Sequence, residues 1–64
     1  MTHAEAIEVG RHIADQTQEN AVIVKRTNRM LAGDGYTVVY WYQWCGQGGM
    51  PPHGHDFVSL IQPN

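Results

Sequence analysis

Between Tyr36 and Trp44 the chain reads YTVVYWYQW, and no other stretch restricts the fold as tightly. β-Branched and aromatic residues suit a pleated surface, so the run predicts a strand. Side chains alternate across a strand. One face then carries Tyr36, Val38, Tyr40, Tyr42 and Trp44, and the other carries Thr37, Val39, Trp41, Gln43 and Cys45. A strand with one wet face alternates apolar with polar residues, and this one does not. Both faces need a cover.

Little chain is left to provide it. Sixty-four residues make one domain, 1-64. A chain that short buries only about 60% of the surface its unfolded form exposes. The single cysteine, Cys45, excludes an internal disulfide. Self-association is therefore the expected source of extra stability. Four of the six acids (Glu5, Glu8, Asp15, Glu19) fall in the first twenty residues, and three of the four bases (Lys25, Arg26, Arg29) lie within five residues of one another. The N-terminus lacks the charged start and apolar core of a signal peptide. No apolar run approaches the ~18 residues of a membrane span. A cytoplasmic protein is the expectation.

Thr2-His-Ala-Glu5 fits a capping box that opens a helix from His3 to about Glu19. Its apolar face holds Ala6, Ile7, Val9, Gly10, Ile13, Ala14 and Thr17. Gly10 costs about 1 kcal/mol against alanine in a helix, which suggests a close approach to the sheet. Asn20 can end the helix in a left-handed conformation. A strand then starts at Ala21 and extends toward Ala32, and Gly33-Asp34-Gly35 reads as a hairpin turn. With a two-residue loop, Leu31 would face Val38, Arg29 Tyr40, Thr27 Tyr42 and Lys25 Trp44. Phe57 to Ile61 forms a third strand, and Gln62-Pro-Asn64 follows as a tail. The expected fold is α+β: one N-terminal amphipathic helix on a three-stranded, mostly antiparallel sheet, α-β-β-β. The helix would leave one aromatic face bare, to be completed by a homo-oligomer.

Three constellations could carry chemistry. Tyr40, Tyr42 and Trp44, with Lys25 and Arg29 alongside, offer stacking rings beside cations, a pattern suited to a nucleotide. Gly46, Gly48, Gly49 and Gly54 open a loop whose amides could wrap an anion, although neither a phosphate-binding P-loop nor a dinucleotide fingerprint is present. Cys45, His53 and His55 are competent zinc ligands, but their spacing matches no standard structural zinc pattern, so no metal is expected. The two histidines are instead placed on the loop beside the anion. A second shell for catalysis is hard to build in so short a chain, and no enzyme or cofactor is expected. With a pI near 6.0, duplex DNA is a poor partner.

Two functions follow from these residues. The first is a small oligomeric, non-enzymatic protein that sequesters a nucleotide-like anion through the glycine loop and the aromatic, basic hairpin. The alternative is a protein-interaction module, or an inhibitor of a larger enzyme, using the exposed aromatic sheet face.

Overall fold

The computed structural model describes residues 1–27 and 35–64. The described elements are α1 (His3–Thr17), β1 (Ala21–Arg26), β2 (Tyr36–Tyr40), α2 (Trp41–Gly46) and β3 (His55–Ile61). The strands form one antiparallel sheet in the order β2-β1-β3. The α-β-β-β arrangement read from the sequence is present, with a short helix added between the second and third strands.

Helix α1 starts where its chemistry says it should. The Thr2 amide donates to Glu5 Oε1 at 2.9 Å, and the Glu5 amide donates to Thr2 Oγ1 at 3.2 Å, the two bonds of a capping box. The helix stops earlier than Glu19. Gln18 takes the left-handed conformation at φ 56°, so the role assigned to Asn20 belongs to Gln18. Only Ala6, Gly10 and Ala14 are buried, a stripe of small residues four apart. Ile7 and Ile13 flank it half-buried, while Val9 and Thr17 face solvent. The narrow stripe lets the helix lie close to the sheet. A Cβ on Gly10 would sit 3.2 Å from Ile61 Cγ1, which is the close approach expected of that glycine.

The register differs from the hairpin expected. Ala21 pairs with Tyr40, Val22 with Val39, Ile23 with Val38, Val24 with Thr37 and Lys25 with Tyr36. Lys25 does not face Trp44, and Thr27 does not face Tyr42. The Asp34 end of the turn, Arg29 and Leu31 lie outside the described residues. Burial explains the shift. A two-residue turn would set Val22 and Val24 opposite the glycine loop, with no apolar partner. The observed register packs Ala21-Val-Ile-Val24, all fully buried, against Val38 and Val39. Each fully buried Val or Ile contributes about 1.5–3 kcal/mol, more than a preferred turn can offset.

β1 is the central strand, with both faces buried, and its unbroken apolar run suits that place. On β3 the pairing slips by one residue, so that Val58 is extra between Ser59, opposite Ile23, and Phe57, opposite Val24. This is a β-bulge on an edge strand. Paired residues share a face. Ile23, Val38 and Ser59 therefore face α1, while Val22, Val24, Val39, Phe57 and Leu60 face the other way.

Candidate interaction surface

The predicted long strand breaks at Tyr40, and the break shapes this side of the molecule. Trp41–Gly46 are helical, so Trp44 is not a strand residue as the sequence suggested. A strand extended to Trp44 would run past the end of the sheet with both faces in water. Coiled into α2, Trp41 and Trp44 stand three residues apart on one helix face. Both pack, partly buried, against Val22, Val24 and Val39. The second sheet face thus receives a cover from within the chain. At the start of α2 the Tyr40 amide donates to Gln43 Oε1 at 3.3 Å.

The glycine-rich loop closes the same helix. The Gly48 amide donates to the Cys45 carbonyl and the Gly49 amide to the Trp44 carbonyl, each at 3.0 Å. These are the paired bonds of a Schellman cap, and Gly48 holds the left-handed position at φ 73°. The two amides point at carbonyls of α2 and are not turned outward toward an anion. Gly46 is the last residue of the helix itself.

The remaining predicted site residues are spread over the molecule. Lys25 Nζ lies 5.5 Å from the centre of the Tyr36 ring, on the α1 side of the sheet, where His3 also stacks on Tyr36 at 4.9 Å. Tyr40 and Tyr42 meet at 5.7 Å at the far end of β2, four residues and roughly 13 Å along the strand from Tyr36. Trp44 is on the opposite face from Lys25, its ring 5.7 Å from Phe57. His53 and His55 precede and open β3. His55 Nδ1 lies 3.1 Å from the His53 carbonyl, which can only accept, so Nδ1 is the donor. Arg29 lies outside the described residues. Among the described residues no three histidine, cysteine or acidic side chains gather where they could hold a metal.

What the structure does assemble is an apolar surface along β3. The backbone of helix α2 lies over β2 and β1 and touches β3 only through the Trp44 ring on Phe57, whereas α1 reaches all three strands on the other side. The face of β3 turned away from α1 is therefore only partly covered. Phe57 is 51% exposed and Leu60 is 40% exposed. Tyr42 on α2 and Met50, just past its cap, are exposed to 65% and 66%. Phe57, Leu60 and Met50 were absent from the sequence-based site. The signal was available, because Phe57 and Leu60 belong to a strand that a six-residue helix could not also cover.

A groove of about 460 Å³ lies where α1 meets the end of β3 and the tail, lined by Arg11, Asp15, Leu60, Ile61, Gln62 and Asn64. The Asn64 amide donates to Asp15 Oδ1 at 3.1 Å and ties the tail to α1. No aromatic ring lines the groove, and none of the predicted site residues reaches it. Among the described residues no helix is long and apolar enough to cross a membrane. Comparison with protein-family models, with curated proteins and with solved structures gives no match, so the functional reading rests on the geometry of the chain itself.

Proposed function

We propose that the protein is a non-enzymatic protein-interaction module that docks on another chain through the exposed face of β3, at Phe57 and Leu60. One observation carries this reading: α2 touches β3 only through Trp44 on Phe57, and Phe57 and Leu60 stay exposed on the same face of the strand. Large apolar side chains on a bare sheet strip mark a docking surface. Aromatic residues and methionine are enriched at the centres of such interfaces.

The nucleotide reading has weaker support. It calls for free loop amides and a shared ring-and-cation pocket. The amides of Gly48 and Gly49 cap α2, and Lys25 and Trp44 occupy opposite faces.

Capture from the native host tests the proposal, with wild type compared with Phe57→Ser and Leu60→Ser. Both side chains are exposed, so folding should be retained. A stoichiometric partner held by wild type and lost from the Phe57→Ser variant is the expected result. If wild type retains no protein, and calorimetry shows a nucleotide binding below millimolar concentration, the anion-sequestering reading replaces this one.

A further inference from the structure

We infer that β3 is a self-recognition edge: two copies pair their β3 strands antiparallel about a two-fold axis between Val58 and Ser59, giving one six-stranded sheet. The two edges of the sheet differ in a way that points there. Since the Arg26 amide donates to the Gly35 carbonyl, the alternation of an antiparallel ladder turns the backbone groups of Tyr36, Val38 and Tyr40 outward. The Tyr36 amide donates to the Met1 carbonyl at 3.1 Å, and the Tyr40 amide donates to Gln43 Oε1. The chain itself thus takes the outward amides at both ends of β2, Tyr36 and Tyr40.

Among the described residues no strand pairs with the outer edge of β3. The Thr27 amide donates to the Gly54 carbonyl, so the same alternation points Phe57 and Leu60 outward on either side of the bulge. The His55 amide is taken by the Pro52 carbonyl, which caps only the first residue of the strand. Open strand edges of this kind are templates for another strand.

The bulge selects the partner. In a regular strand, outward backbone groups recur every second residue. On β3 they are three apart, at Phe57 and Leu60, because Val58 is inserted. A regular foreign strand would match one and miss the other. A second β3 carries the same spacing, so Phe57 of one copy meets Leu60 of the other at both ends of the pair. Charge also permits it, since Asp56 falls opposite Ile61 and not opposite a second Asp56. Antiparallel neighbours share a face. The two bare strips therefore join into one apolar trough between the two α2 helices. The proposal rests on the interaction-module reading for these side chains, and on the ladder alone for the backbone.

Sedimentation equilibrium from micromolar to millimolar concentration tests it. Wild type should reach twice the chain mass of 7.2 kDa. Phe57→Lys/Leu60→Lys should stay at one chain, because the introduced ammonium groups face each other across the axis. Phe57→Glu/Leu60→Glu should do the same, and an equal mixture of the two variants should return to the doubled mass. A wild type that stays at one chain at millimolar concentration overturns the proposal. So do variants that associate as wild type does, or a mixture that stays at one chain. Heterologous capture is read separately. A dimer that holds no other protein sinks the module reading alone, and a single chain that holds a partner through Phe57 sinks only the pairing.

Discussion

Two alanine substitutions, two residues apart, should move stability in opposite directions. Gly46 is helical and Gly48 is left-handed, and a Cβ at either position would meet nothing within 4 Å. Packing is therefore silent, and backbone preference decides the sign. At Gly46, alanine gains at most about 1 kcal/mol of helix propensity, and about half of that in a last turn. At Gly48 the left-handed conformation costs alanine about 1–2 kcal/mol. A less free unfolded chain returns about 0.4–1 kcal/mol of it. The net is a gain of about 0.5 kcal/mol for Gly46→Ala and a loss of about 1 kcal/mol for Gly48→Ala. For a domain of this size, each kcal/mol shifts the melting temperature by about 4–8 °C. The two variants should therefore melt about 6–12 °C apart, with wild type between them. Thermal melts followed by circular dichroism measure this directly. If both variants shift the same way, or Gly48→Ala melts at or above wild type, α2 does not end in the cap described. A loose loop after a long strand would treat the two glycines alike.

Other substitutions test other joints of the fold. Thr2→Ala removes the capping box of α1 and should cost about 1 kcal/mol in urea unfolding. Gly10→Ala should remain within about 1 kcal/mol of wild type, since helix propensity opposes crowding against Ile61 at 3.2 Å. Gly10→Leu should lose a further 1–3 kcal/mol or so, because the close helix–sheet contact has no room for it; an unchanged melting temperature would contradict that contact.

Much of the α1–sheet unit was legible in the sequence. Thr2 and Glu5 announced the helix start, and Gly10 announced a close contact that Ile61 supplies. The hairpin was misread because Asp34-Gly35 was weighed as a local turn signal, while the buried run Ala21–Val24 set the register through long-range packing. Trp41–Gly46 was misread because β propensity describes a fit to a pleated, half-buried surface, and β1 offered no room for the strand to continue. The competing signals were present in the same letters: Trp41 and Trp44 at helical spacing, Gln43 placed to cap Tyr40, and the glycines at 48 and 49 beyond the last turn. The candidate site moved for the same reason. Once α2 forms, Trp41 and Trp44 are spent covering Val22, Val24 and Val39, while Phe57 and Leu60 of β3 remain exposed.

The most direct test of the interaction surface is amide-resolved NMR of labelled protein titrated with the chain it retains from its host. Signal shifts and losses should concentrate on α2 and on residues 55–61, with Phe57 and Leu60 among the largest. Changes confined to the exposed acidic face of α1, at Glu5, Glu8, His12 and Asp15, would contradict the assignment and place the docking surface on the helix.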